Sequence, residues 1–221
     1  MKLQIAFISF GTVGSLIAII ATFISAFAYR GKLGERYSPL NHFISELGEV
    51  GVSRFAWVFN LGLIFTGLCL VPACFALGMF IPSYLSKIGM LSGFITAVGL
   101  SMVGFFPMNK HKPHAKAALT FFRGGLSLVL FFSLAIGIQP KNALVIPRSY
   151  WLAGLLPIIS FGSFLSLMAT SNSRSAENTL QPLEGDRPKI WIMPIVEWSI
   201  FLSIIFWFLL IAFGLGKNSM L

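Results

Sequence analysis

The sequence predicts an all-α polytopic membrane protein, a bundle of six transmembrane helices. Of its 221 residues, 56% are apolar and 10% are charged, and the mean hydropathy is +0.84. Because a soluble domain carries about 25% charged residues, this composition excludes a soluble globular protein and a disordered chain. Six long apolar stretches follow one another along the chain, and they lack the short alternating pattern of β-barrel strands. The helix is therefore the structure that satisfies their backbone in lipid.

Each of the six apolar stretches is long enough to cross a membrane. A helix of about 20 apolar residues spans the hydrocarbon core, and the third stretch just reaches that length. We expect a single domain over residues 1–221, with spans at about 5–28, 55–80, 88–107, 116–138, 150–170 and 191–214.

The connection between the first two spans is expected to contain a short interfacial helix. Ser38 is a capping residue type, Pro39 suits a first helical turn, and Gly48 is suited to the end of a helix. Apolar residues between them recur at the spacing of one helical face, namely Leu40, Phe43, Ile44 and Leu47. The opposite face is polar and holds Asn41, His42, Ser45 and Glu46. An amphipathic helix of this kind lies in the interface or folds against the bundle.

The basic residues predict the orientation of the chain, because cytoplasmic connections carry an excess of Lys and Arg. Five of the 16 lie at the end of the bundle with both termini, the first face, and eleven lie at the opposite end, the second face. We therefore expect a cell (inner) membrane protein with its termini outside and with connections 29–54, 108–116 and 171–189 in the cytoplasm. The polar connection 171–189 contains two prolines and predicts a mobile loop.

The net charge of +9 does not indicate a nucleic-acid partner. All seven acidic residues fall on the second face or in its half of the membrane, so the charge divides into +5 on the first face and +4 on the second. Neither sum forms the single basic patch that a polyanion requires. Nucleic acid is therefore excluded as a partner.

The three histidines, all near the second face, raise the hypothesis of a metal site. His42 and Glu46 are four residues apart and share one side of a helix. His111 and His114 form an HxxH in the connection after the third span. Three imidazoles and a carboxylate are ligands that zinc accepts. The alternative is that these histidines make ordinary hydrogen bonds, since nothing in the sequence brings the two connections together.

Two charged residues lie inside apolar spans. Arg123 and Glu197 are each about 10 Å deep, counted from the second face at 1.5 Å per residue. Such groups normally face the bundle interior and find partners. Their similar depth predicts an Arg123–Glu197 ion pair, which either locks two helices together or lines a polar cavity. Asn60 lies at comparable depth and either adds an amide to that cavity or joins two helices.

The residue sets of familiar membrane enzymes are missing from the sequence. The spans hold no mid-membrane Lys or His, and Asp186, in a connection, is the single Asp. A Walker loop and a G-x-S-x-G elbow are also absent. The sequence therefore assigns no catalytic residue and no cofactor, and it leaves open whether the protein is an enzyme.

Three stretches carry a family resemblance: YSPLNHFISELG at 37–48, N-x-G at 60–62, and VGFFP at 103–107 followed by His114. Over roughly residues 5–215 the chain resembles the six-helix family catalogued as domain of unknown function 998. The resemblance implies the six-helix fold and makes Ser45, Glu46 and His114 part of the family signature. More remotely, the helix count and the Ile-Ser-Glu-Leu-Gly piece are similar to the Frag1/DRAM/Sfk1 group, which implies a link to lipid handling.

The preferred hypothesis is a polar vestibule that opens to the second face and binds a lipid or small amphiphile. A role as accessory subunit of a membrane complex is its variant, so the expected partners are membrane lipids and other membrane subunits. The residues expected to line the vestibule are His42, Ser45, Glu46, Asn60, His114, Arg123 and Glu197. The alternative is a metal-dependent membrane lipid hydrolase or transferase, with ligands drawn from His42, Glu46, His111 and His114.

Overall fold

Six long helices make up most of the chain in this computed structural model, which describes residues 2–140, 144–170 and 187–218. Six segments are long and apolar enough to cross a membrane, and the described residues contain no strand, so the predicted fold class is confirmed. The helices are α1 (Lys2–Ala28), α2 (Ala56–Phe80), α3 (Tyr84–Phe105), α4 (His111–Gly137), α5 (Leu155–Thr170) and α6 (Ile192–Asn218). The 3₁₀ helix Arg148–Gly154 precedes α5 and completes the fifth span.

The helices form a closed ring in chain order. Each helix contacts the next one, and α6 returns to contact α1. Glycines bring α3 close to both of its neighbours. A Cβ on Gly93 would lie 2.4 Å from Cys74 Sγ of α2, and one on Gly99 would lie 2.6 Å from the backbone nitrogen of Phe121 of α4. Small residues therefore allow the close helix contacts that lipid itself does not drive.

Hydrogen bonds tie the chain together at both ends of the ring. On the second face, the Asn109 side chain donates to Val50 O at 2.9 Å and accepts the Val50 N–H at 2.7 Å. On the first face, the Gln4 side chain donates to Leu215 O, so the start of α1 and the end of α6 lie together. Which face is cytoplasmic stays a prediction.

The predicted interfacial helix over residues 38–48 is wrong in its extent. The His42 N–H donates to Ser38 O at 2.9 Å in a turn, Phe43 is extended, and the helical part is the 3₁₀ segment Ile44–Gly48. The N–H groups of Phe43 and Ile44 are accepted by the side chains of Glu46 and Glu197. A continuous helix would need those donors for its own carbonyls, so the side-chain acceptors replace it.

The faces expected for this segment are right for the apolar residues Phe43, Ile44 and Leu47, which are buried, and wrong for three others. His42 and Glu46, assigned to the polar outer face, are 3% and 0% exposed. Leu40, assigned to the apolar inner face, is 51% exposed. A buried Glu is stable only with a charged or hydrogen-bonding partner, and this segment receives one from a distant part of the chain.

The connection predicted at 108–116 is shorter in the structure. α4 begins at His111, and the His114 N–H donates to Lys110 O at 2.9 Å. Pro113 does not interrupt the helix because it lies in the first turn, where its missing N–H has no intrahelical partner. Of the other predicted loop, 171–189, residues 171–186 lie outside the described residues.

Candidate functional site

The ring contains a cavity of about 140 Å³ between its helices. All six helices contribute to its wall, and most of the side chains are apolar, such as Phe10, Leu70 and Phe161. The polar groups Ser45, His114 and Glu197 line it from the second-face segments. No Lys or Arg is among the described residues of the wall. The cavity thus has an amphipathic lining, with its carboxyl and imidazole groups near one face.

Glu197 joins the cavity wall to the connection between α1 and α2. It lies near the start of α6, and its Oε2 accepts the Ile44 N–H at 2.6 Å. This bond fixes the start of the 3₁₀ segment and with it Ser45, the next residue. Ser45 Oγ in turn lies 3.7 Å from Met108 Sδ, in the connection between α3 and α4. Three connected segments therefore position the polar end of the cavity.

The predicted Arg123–Glu197 ion pair is wrong. Arg123 is exposed, whereas Phe122 packs on Phe164 of α5 and Gly124 on Thr96 of α3. Residue 123 therefore points away from the ring. The two groups lie at a similar depth along their spans. However, α6 directs Glu197 into the ring, whereas α4 directs Arg123 away from it.

Glu46 finds its charged partner in Arg187, just before α6. The two guanidinium nitrogens donate to the two carboxylate oxygens at 2.9 and 2.7 Å, a bidentate pair. Glu46 is 0% exposed and the Arg187 side chain 14%. The Glu46 carboxylate also accepts the Phe43 N–H at 2.9 Å. One buried ion pair thus holds the α1–α2 connection against the segment that leads into α6.

Aromatic residues reinforce the same junction. The Trp198 indole N–H donates to Tyr37 Oη at 2.9 Å, and Tyr37 Oη donates to Phe43 O at 3.0 Å. Burial raises the pKa of Tyr37 well above its ordinary value, so the phenol keeps the hydrogen that it donates. The Phe43 ring contacts the Trp191 ring edge to face, at 4.8 Å between centroids. These contacts fix the α1–α2 connection to α6.

His42 is buried beside this junction and does not line the cavity. Its Nδ1 lies 2.8 Å from Asn41 Oδ1, while Nε2 has no hydrogen-bond partner and lies 3.9 Å from Glu35 Oε1. Its ring packs edge to face on Tyr29. Burial lowers the pKa of His42 below its ordinary value, which favours a neutral ring at pH 7.

His114 lines the cavity from α4. It is 4% exposed, and its Nδ1 lies 2.8 Å from Phe106 O. Because a carbonyl oxygen only accepts hydrogen bonds, Nδ1 carries a hydrogen and donates it. Nε2 is then the hydrogen-bond acceptor of the neutral ring.

Asn60 braces the α1–α2 connection and is absent from the cavity wall. Its side-chain Nδ2 donates to Gly48 O at 3.0 Å. A Cβ on Gly48 would lie 2.3 Å from Asn60 Oδ1, so the glycine allows this close approach. Asn60 therefore joins a helix to a connection, where the sequence predicted either a cavity lining or a contact between two helices.

The structure does not bring the proposed metal ligands together. Among the described residues, no group of three or more His, Cys, Asp or Glu is placed to hold a metal ion. The Glu46 carboxylate is engaged by Arg187, and His114 is tied to Phe106. His111 lies on the first turn of α4, whereas His42 lies in the α1–α2 connection with its Nδ1 beside Asn41 Oδ1.

The seven predicted vestibule residues therefore fall into three groups. Ser45, His114 and Glu197 line the cavity; His42, Glu46 and Asn60 support the connection that carries Ser45; Arg123 lies on the outer surface. Sequence reasoning missed Arg187, Tyr37 and Trp198. Arg187 carried a usable signal, since it stands beside Pro188 directly before an apolar span, at the same face as the buried acids.

One comparison with known proteins is positive. The model of a family described as "Protein of unknown function (DUF998)" matches residues 12–214, most of the chain. No curated protein and no solved structure matches the chain. The remote similarity to the Frag1/DRAM/Sfk1 group stays a prediction.

Proposed function

Since the chain belongs to DUF998, a family of proteins of unknown function, we propose a function from the site itself: binding of a lipid or small amphiphile inside the helix ring. The observation that carries this proposal is the cavity with apolar walls and the polar residues Ser45, His114 and Glu197. Apolar walls favour a hydrocarbon chain, and a few placed polar groups favour one orientation of its head.

The size of the cavity limits the ligand. A cavity of about 150 Å³ with apolar walls takes up a molecule of the size of benzene, and this one measures about 140 Å³. It matches a small amphiphile or one segment of a lipid chain. A whole two-chain phospholipid is too large, and would have to extend between the helices.

The polar residues indicate the chemistry of the head group. The carboxyl group of Glu197 offers a hydrogen-bond acceptor, the neutral ring of His114 offers Nε2 as an acceptor, and Ser45 donates or accepts. No described cation lines the cavity to neutralise a phosphate. The head group that fits best is therefore a donor, either a hydroxyl or an amine.

The buried pair of Glu46 and Arg187 supports this function indirectly. It holds the connection that carries Ser45 against the segment leading into α6. The backbone N–H of Trp191 adds a hydrogen bond to Leu40 O at 2.8 Å. A fixed polar end of this kind reduces the ordering cost of binding.

The test is lipid extraction and mass spectrometry of protein purified in mild detergent. Leu70, on the cavity wall, and Leu68, 58% exposed on the same helix, give a matched pair of substitutions. We expect about one bound amphiphile per wild-type chain, its loss in Leu70→Trp, and its retention in Leu68→Trp. A monomeric wild type without bound amphiphile, or equal retention in both variants, would overturn the proposal.

A further inference from the structure

The outer surface of α4 carries a basic stripe at its second-face end. Lys112, Lys116 and Arg123 are all exposed. They recur at intervals of four and seven residues, which place them within about 40° of one another around the helix. Leu130 and Leu134 continue the same side and are 37% and 43% exposed. The stripe therefore passes from the headgroup region onto the surface that faces lipid.

Arg123 has no acidic partner in the described part of the chain. The ion pairs there join other bases, Lys32 and Arg187, to glutamates. A guanidinium that faces hydrocarbon is expensive, so it needs an anion or a path to the headgroups. The nearest bases on its own helix side are lysines, which repel it. No described residue therefore neutralises the positive charge of Arg123.

The geometry of the helix directs Arg123 toward the second face. Side chains on an α-helix lean toward its N-terminus, and the N-terminus of α4 lies at that face. Lys116 is two turns nearer the same end, about 10 Å along the axis. The long side chain of Arg123 covers much of that distance and snorkels toward the level of Lys116. One anionic group can then contact both residues.

We propose that Arg123 and Lys116 form a binding site for the phosphate of an anionic phospholipid on the outer face of α4. A guanidinium binds two phosphate oxygens in parallel, and an ammonium adds a second positive charge. The lipid chains then run along the apolar side that Leu130 and Leu134 continue. This site is separate from the cavity, and it does not depend on the proposed function.

The test compares phosphatidylglycerol with phosphatidylcholine of the same chains, titrated onto the full-length protein and followed by native mass spectrometry. We expect wild type to prefer phosphatidylglycerol by about tenfold, because the choline cation of phosphatidylcholine offsets its phosphate charge beside two bases, each of which favours an anionic lipid severalfold. Arg123→Gln and Lys116→Gln should each remove most of that preference, and Arg123→Lys should keep part of it. Inorganic phosphate at millimolar concentration should not displace the lipid, because it lacks the chains.

Lys189→Gln is the matched control, since Lys189 is an exposed base of the same face outside α4. It should keep the preference, as should Leu70→Trp, which alters the cavity alone. Equal binding of both lipids by wild type, or equal loss in Lys189→Gln and Arg123→Gln, would overturn the proposal. Should Arg123→Gln fail to fold, Lys116→Gln, at the headgroup level, carries the same test.

Discussion

The two ends of the helix ring are held together by different kinds of bond. At the first face, basic side chains bond backbone carbonyls: Lys87 Nζ donates to Gly78 O and Arg148 Nε to Gln139 O, both at 2.8 Å. Gln139, 2% exposed, also donates to Ile136 O and Ile146 O and accepts the Val145 N–H. These bonds are local, each within the α2–α3 or the α4–α5 connection, and none involves a carboxylate.

At the second face, carboxylates hold segments that are far apart in sequence. Glu46 pairs with Arg187 across 141 residues, and Glu197 binds the Ile44 N–H across 153. The charged groups of the second face thus lie where separate connections are fixed to one another around the polar end of the cavity. The first face also has a long-range bond, from the Gln4 side chain to Leu215 O, but that bond is made by an amide and not by a carboxylate.

The largest expected effect comes from breaking the buried pair. Arg187→Met leaves the Glu46 carboxylate, 0% exposed, without its partner. Removing one member of a buried pair costs about 3–5 kcal/mol, so we expect a loss of that size in the free energy of unfolding, measured by thermal unfolding in detergent. The double variant Glu46→Gln/Arg187→Met keeps an acceptor for the Phe43 N–H and should recover about half of it. A double variant as unstable as the single one would contradict a charge-based role.

A smaller effect is expected at the first face. Gln139→Ala removes three hydrogen bonds at about 3 Å to the backbone of one connection. At roughly 1 kcal/mol each, less what water restores, the free energy of unfolding should fall by about 2 kcal/mol. Ile138→Ala, at a 61% exposed neighbour, is the control and should change it by less than about 0.5 kcal/mol. The loss in Gln139→Ala should be the same at pH 5.5 and pH 7.5, since no carboxylate is involved.

The smallest expected effect is a pH dependence confined to the second face. Burial lowers the pKa of His42 from its ordinary 6.5, so below pH 6.5 the unfolded chain binds more protons than the folded chain. Stability should therefore fall as the pH drops through that window, by less than about 1 kcal/mol. Unfolding temperatures between pH 7.5 and 5.0 should fall more steeply for wild type than for His42→Phe. Parallel slopes for the two proteins would count against this assignment.

The six spans were predictable because apolar length is a local property of the sequence. A stretch of about 20 apolar residues signals a transmembrane helix whatever its neighbours are. The boundaries of the spans were less predictable. α4 begins at His111, five residues before the predicted span, because a transmembrane helix can continue with polar residues into the headgroup region.

The candidate site was predictable only in part, because its residues come together through three-dimensional contacts. The depth of Arg123 and Glu197 follows from counting residues, but the side of the helix that faces the ring does not. α6 is apolar over most of its length, so no hydrophobic stripe marks its inner face. On α4 the spacing of Lys112, Lys116 and Arg123 marks the outer side, a signal that counting depth does not use. Similarly, His42 and Glu46 were assigned to an outer polar face because residues 38–48 were expected to form one helix. Burial of Glu46 depends on Arg187, which lies 141 residues away in the sequence.

Binding of three amphiphiles with the same chain and different head groups decides the proposed function. Alcohol, amine and phosphate head groups are titrated onto wild type and Glu197→Gln in nanodiscs, and bound ligand is counted by native mass spectrometry. The alcohol or the amine should bind wild type at about one per chain and at least about tenfold tighter than the phosphate, because the described wall offers no cation to a phosphate, whereas the Glu197 carboxyl accepts a hydrogen bond from either donor. Glu197→Gln should narrow that difference. Equal or tighter binding of the phosphate by wild type would contradict the proposed head group and the assignment of Glu197 to it.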